Sequence, residues 1–247
     1  MQEEKRKNRR IRMQLFFKWA VACIIVLFAV GAGYNFYQSR CEANLVYREV
    51  CAVRGEKLLV LLPDGSRVWL NADSKLTYPE QFAKYNRDVT LEGEAYFEIA
   101  KNKKSPFQVF AENVKIQVTG TCFNVKAYPS DKVIKTTLDE GSIIFPGQTA
   151  VYEKRSNVIK IKTDRYHDDA SSWKGNQLTF RNASLKEVLT TLQRHFDIEI
   201  AVKNEKIASF TYNFVCKGND LNYVLEVMQS ITPVSFKKIS EYTYTVE

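Results

Sequence analysis

The chain has 247 residues, 45% of them hydrophobic, with 36 Lys and Arg against 28 Asp and Glu. A net charge of +8 would suit a nucleic-acid-binding protein if it were spread over the folded part. Instead residues 1–18 carry seven basic side chains against Glu3 and Glu4, which leaves the other 229 residues at only +3 and argues against a basic groove for a phosphate backbone.

Chain order begins with that basic stretch, predicted to be a short cytoplasmic tail over 1–18. The next segment, WAVACIIVLFAVGAGYNFY (19–37), has no charged residue. As a helix it would span about 28 Å, enough for the hydrocarbon core of a bilayer. Lys and Arg crowd its N-terminal flank, so the positive-inside rule keeps the tail in the cytoplasm and exports the rest of the chain. Trp19, Tyr34 and Tyr37 stand near its ends, where interfacial aromatics belong. The rival reading is a cleaved signal peptide, with Ala20–Val30 as its apolar region and Val30-Gly31-Ala32 as its cleavage site. Either reading places the bulk of the chain outside the cytoplasm. Cys41, Cys51, Cys122 and Cys216 then lie in a potentially oxidising compartment, and three pairings are open to them. No Cys or His spacing suggests a metal, and no cofactor is implied.

From about 57 to 162 the residues predict short strands separated by turns. KLLVLLP (57–63) and SRVWLN (66–71) flank the turn signal Pro63-Asp64-Gly65. RDVTLEG, EAYFEIA, FQVF, VKIQVTG, CFNVKAY, KVIKTTL, GSIIF, QTAVY and VIKIK come after them. That spacing predicts an all-β domain over 45–165, a sandwich or a short β-solenoid.

Within it, Glu92 and Glu94 stand two apart, the kind of pair that general acid–base chemistry often uses. In an extended segment side chains alternate faces. Leu91, Gly93, Ala95, Phe97 and Ile99 then fall on one face, and Glu92, Glu94, Tyr96 and Glu98 on the other, which is expected to be solvated. Asp139-Glu140-Gly141 reads as a turn. The two histidines, His167 and His195, are distant in sequence, and no nucleophile elbow is present. The residues predict no enzyme.

TDRYHDDASSWKGN (163–176) is polar and reads as a linker. Beyond it lies a small α+β domain over 173–247, built from two strand–helix–strand units with both helices on one face of a small sheet. In the first helix, Ser184 and Glu187 form a predicted capping box and Leu185, Val188, Leu189, Leu192 and Phe196 the apolar stripe. Leu221, Val224, Leu225 and Met228 repeat that stripe 36 residues later, with Asp220 as the cap. His195 is expected to serve as a charge at the helix C-terminus.

LPDGSRVWLNADSKLTYPEQF, RDVTLEGEAYFEIAKNKKSPFQV, VKIQVTGTCFNVKAY and TTLDEGSIIF together resemble the periplasmic domain of FecR-type anti-sigma factors. From PGQTAVY through WKGNQLTFRNASLKEVL to the end, the chain resembles that family's C-terminal domain, related to the short N-terminal domain of secretins and TonB-dependent receptors. The resemblance covers about residues 50 to 247 and implies a single-pass inner-membrane regulator with periplasmic C-terminal domains. Its implied partners are the signalling domain of a TonB-dependent outer-membrane receptor and an extracytoplasmic-function sigma factor. Members usually grip the sigma factor with a larger cytoplasmic domain, so here either the 18-residue tail folds on it, or the chain start is misplaced, or this is a variant that kept only the envelope half. The alternative is a structural or carbohydrate-binding envelope protein with no sigma-factor contact.

The matched residues Asp64, Gly65, Leu70, Asn71, Gly93, Glu94, Phe97, Pro106, Phe107, Gly120, Thr121, Phe123, Gly141 and Trp173 read as structural. For partner binding the expectation is strand 209–216, where Phe210, Tyr212 and Phe214 alternate and a partner strand could pair with an exposed edge. If that strand is central, the same aromatics belong to the core.

Overall fold

A computed structural model describes residues 27–33, 46–82, 87–140, 148–163 and 167–247. Residues 27–33 form a short helix, α1. Among the described residues no helix is long and apolar enough to cross a membrane. The predicted tail and most of the predicted span lie outside them, as do GSIIF and its Gly141. Tyr47–Glu247 is one compact unit, separate from residues 1–46.

The first part of that unit is built from β1 (Tyr47–Ala52), β2 (Leu58–Leu61), β3 (Arg67–Leu70), β4 (Ser74–Pro79), β5 (Arg87–Glu98), β6 (Phe107–Ala111), β7 (Val114–Val118), β8 (Cys122–Ala127), β9 (Val133–Glu140), β10 (Gln148–Glu153) and β11 (Val158–Thr163). β5 is twice the usual length and serves two sheets. Its first half pairs with β4 and β6, and its second half with β3 and β8. One sheet therefore runs β1-β4-β5-β6-β7 and the other β2-β3-β5-β8-β9-β10-β11, and both bury side chains in a single core. Leu70, Phe97, Phe107 and Phe123 are fully buried there, and the Phe97 and Phe123 rings stack at 4.9 Å.

β5 changes sheets at Gly93, whose φ is +107°. A Cβ at that position would come within 2.7 Å of Ser74 Cα. Backbone conformation and crowding both demand glycine. Gly93→Ala is expected to cost more than about 2 kcal/mol, read as a shifted urea midpoint with unchanged slope. Upstream, Gly65 closes the β2–β3 turn at φ +83° while Asp64 Oδ1 accepts from Ser66 N at 3.0 Å. Asp64 also pairs with the buried Arg87 at 2.6 Å, tying this turn to the start of β5. Asp139 and Glu140 complete β9 rather than forming a turn, because the strand keeps its pairing with β8 as far as Cys122 opposite Glu140.

The second part has the order β12 (Gln177–Ser184), α2 (Leu185–Phe196), β13 (Glu199–Val202), β14 (Thr211–Lys217), α3 (Leu221–Ile231), β15 (Phe236–Lys238) and β16 (Thr243–Val246). The capping box is present: Ser184 Oγ accepts from Glu187 N, and Glu187 accepts from Ser184 N at 2.9 Å. Asp220 caps α3. The two apolar stripes meet in one core of their own. The expectation of one sheet under both helices needs correction. β12 pairs with β14, while β16 lies between β13 and β15, so the two units exchange strands into two small sheets.

The stretch read as a linker is also ordered where it is described. His167–Ala170 and Ser172–Gly175 are short 3-10 helices, and Trp173 in the second of them is buried.

Candidate functional site

The face of β5 that alternation assigns to solvent is, over its second half, the place where the two lobes meet. Glu92 behaves as expected: it is exposed and pairs with Lys75 at 2.9 Å. Glu94 and Tyr96 do not, with only 8% and 6% of their surfaces accessible. Alternation was correct, but a second layer covers that face.

A buried carboxylate needs donors, and Glu94 has them. Asn71 Nδ2 donates to one oxygen at 2.9 Å and Asn124 Nδ2 to the other at 3.0 Å. Trp173 Nε1 in turn donates to Asn124 Oδ1 at 3.2 Å, so the chain of hydrogen bonds passes from one lobe into the connector of the next. Lys57 Nζ donates to the Trp173 carbonyl at 2.6 Å and to Asn176 Oδ1 at 2.5 Å. Burial pushes the Lys57 pKa down, against the opposing pull of Glu94. Lys174 lies 3.2 Å from the Tyr96 ring centre, which covers the outer part of the same face.

A second set of contacts holds the C-terminal end of α2. Arg54 donates to the carbonyls of Gln193 and Ile198 at 2.9 and 2.7 Å and to Glu199 at 2.6 Å. A cation at this end complements the helix dipole. Arg194, itself only 8% exposed, stacks 3.6 Å from the Tyr128 ring centre and donates to Ser130 and Asp131. Burial raises the Tyr128 pKa above its ordinary value, so the phenol stays neutral and its hydroxyl donates to the Ala72 carbonyl at 2.8 Å.

His195 does not act as a helix-end charge. Its Nε2 lies 2.6 Å from the Gly218 carbonyl and must carry a proton to donate to it, and burial pushes its pKa below the ordinary 6.5. Because the folded state resists protonation, stability is present above pH 6.5 and falls as the pH drops through the lowered folded value. The melting temperature is expected to fall between pH 7.5 and about pH 5.5, and His195→Gln to flatten that part of the profile.

Between the lobes a cleft of about 340 Å³ remains open. Lys126, Lys135, Thr137 and Thr149 line it from the β-rich lobe, and residues of β12 with Glu187 of α2 line it from the other. Its fixed carboxylates are occupied, Glu94 by amides and Glu187 by its capping box. Among the described residues no group of three His, Cys, Asp or Glu is placed to hold a metal ion. The arrangement offers binding and mechanical coupling.

The remaining motif residues are spread through the β-rich lobe. Thr121 is buried and Pro106 half-buried, and Gly120 packs against Lys101. Of the residues expected to bind a partner, Tyr212 is fully buried, Phe214 nearly so, and Phe210 half-buried against the same core. β14 is an edge strand nevertheless, since among the described residues it pairs only with β12. Its outward side chains are Thr211, Asn213, Val215 and Lys217. The strand is thus at an edge among the described residues while its aromatics face the core, a combination that neither alternative describes. Arg54 and Arg194, which fasten α2, carry no signal in the sequence, because nothing local marks a cation whose partners lie 63 to 145 residues away.

No curated protein matches this chain. Two crystal structures of a "putative anti-sigma factor" from Parabacteroides distasonis superpose on it with a TM-score of 0.75 at 25% identity, covering 81% of this chain and 98% of theirs. The family model described as FecR protein matches residues 49–144, and that described as FecR, C-terminal, matches 177–246. With both parts matched in order over about two thirds of its length, the chain belongs to the FecR family.

Proposed function

We propose that this protein is a single-pass inner-membrane regulator of the anti-sigma type. Residues 19–37 form its anchor, 1–18 its cytoplasmic tail, and 45–165 and 173–247 its two periplasmic domains. It passes a signal from a TonB-dependent outer-membrane receptor to an extracytoplasmic-function sigma factor. The observation that carries this reading is the joint match of both FecR parts on one compact unit, together with the likeness to an anti-sigma factor over nearly all of that protein's resolved length.

The fastened lobes support such a relay mechanically. Arg54, in the turn after β1, grips the end of α2, so a load on the C-terminal lobe reaches the strand nearest the proposed anchor. Receptor docking on β14 would use its free backbone edge and the outward Asn213 and Val215, because Tyr212 and Phe214 face the core. Val215→Pro tests that edge where a Tyr212 substitution would only disturb folding.

Crosslinking of tagged full-length protein in its own membranes, followed by mass spectrometry, tests the whole reading. Recovery of a TonB-dependent receptor together with a sigma factor is the expected result. A receptor alone would confine the function to the envelope. Recovery of neither, beside other membrane neighbours, would refute the relay in favour of a structural or carbohydrate-binding role.

A further inference from the structure

β2 is an edge strand built unlike the other edges of this molecule. Among the described residues β1, β2, β7, β11, β12, β13, β14 and β15 each pair on one side only. Native proteins guard such edges with charged side chains, because an unpaired apolar edge is a template for another chain. Seven of these strands carry at least one Lys, Arg or Glu, from Arg48 and Glu49 on β1 to Lys237 and Lys238 on β15. β2, Leu58–Leu61, carries none, and Leu62 extends its apolar run as far as Pro63.

Local geometry leaves that edge ready to pair. Leu62 N donates to the Ser66 carbonyl across the hairpin at 2.9 Å, so alternation turns the backbone groups of Val60 and Leu58 toward β3 as well. The N–H and C=O groups of Leu59 and Leu61 therefore point away from β3, out of the sheet edge. Leu59 and Leu61 are themselves 54% and 68% exposed, on the face where Leu59 stands opposite Trp69. Val60 and Leu62 lie on the other face, buried in the core of the β-rich lobe. Charge beside the patch is balanced: Arg67, opposite Leu61, has Glu98 as its counter-ion at 2.5 Å. Lys57, at the start of the strand, is engaged with the Trp173 carbonyl.

We propose that β2 pairs antiparallel with β2 of a second copy of this chain. A strand joining this edge must be apolar on both faces, one continuing the core side and the other covering Leu59 and Leu61. β2 has that composition itself. The run Leu58-Leu59-Val60-Leu61-Leu62 is nearly symmetric about its centre. With Val60 on the twofold axis, Leu59 meets Leu61 of the second copy and Leu58 meets Leu62, so every contact is apolar. The outward groups of Leu59 and Leu61 then form two pairs of two hydrogen bonds each. A shift of register in one direction sets Lys57 against Leu61, and in the other it sets Pro63, which has no N–H, against Leu59. Two short strands bury less than a standard stable interface, so the dimer is weak and its population follows concentration. This pairing depends on no contact with a receptor or a sigma factor.

The test is sedimentation equilibrium of the full-length protein in detergent, from about 1 μM to about 0.3 mM, with amide exchange measured at both ends of that range. A monomer–dimer equilibrium is expected, and exchange at Leu59 and Leu61 should slow as the dimer fills. Leu59→Lys combined with Leu61→Lys is expected to raise the dimer dissociation constant about tenfold or more, since it sets lysine against lysine across the axis. Both side chains are exposed, so the variant should keep its fold, which its melting temperature checks. Should it fail to fold, the concentration-dependent exchange of the wild-type protein decides alone. A monomer throughout, a dimer that the lysines do not weaken, or protection confined to another edge such as β1 or β11 would overturn the proposal. Association through the apolar segment 19–37 would survive the two lysines, and so would count against it.

Discussion

Trp173→Ala is expected to lower stability by about 3–5 kcal/mol and to loosen the lobes from each other. The indole is buried where a 3-10 turn meets the outer face of β5, and its Nε1–H is tied to Asn124. Removing it leaves a cavity at the join and frees the Asn124 carbonyl. Urea denaturation measures the loss. Limited proteolysis supplies the readout that separates this join from ordinary core, with faster cleavage between 163 and 176 in the variant under native conditions. Trp173→Phe keeps most of the burial and loses one hydrogen bond, so its cost should be nearer 1 kcal/mol. Equal costs for the two variants would show that the hydrogen bond, and not the packing, holds the join.

Glu94→Ala should cost about 3 kcal/mol, because it strands two amide donors at once, Asn124 buried and Asn71 half-buried. Asn71 and Asn124 both point at this carboxylate, which takes one Nδ2 hydrogen bond from each. Glu94→Gln keeps one acceptor oxygen and turns an amino group toward the other donor, so it should fall between wild type and Glu94→Ala. The network also predicts non-additivity. Once Asn124 is alanine, Glu94→Ala has only one donor left to strand, and the double variant should lose clearly less than the sum of the single losses. Additive losses would mean that the two residues act independently, contrary to the hydrogen bond between them.

These two side chains show how far local pattern reaches. Glu94 sits in a strand whose inward face is plain from its apolar alternation, and Leu91, Ala95 and Phe97 are all buried. Alternation fixes which residues share a face but is silent on what lies beyond that face. With one sheet in view, the face carrying Glu92, Glu94 and Tyr96 is solvated. Only the docking of Trp173 and Lys174 from the connecting segment makes it an interior. The same limit explains β14. Alternating Phe210, Tyr212 and Phe214 marks an amphipathic strand, yet whether its aromatics meet a partner or a core depends on which side α2 and α3 pack.

What the residues by themselves determined is local and periodic. They set the Pro63-Asp64-Gly65 turn, the capping box at Ser184, the cap at Asp220, the two apolar stripes 36 residues apart, and the motif blocks that resemble the FecR family. Each depends on side chains within a turn or two of one another, or on a period that survives in one dimension. Tertiary structure alone decided that β5 serves two sheets, that the paired units exchange strands, and that Arg54 and Arg194 clamp α2. It also brought Lys126 and Lys135 together with Glu187 of α2 in one cleft. Those relations join residues tens to more than a hundred positions apart, and their free energy comes from burial and hydrogen bonding that exist only once the layers have closed.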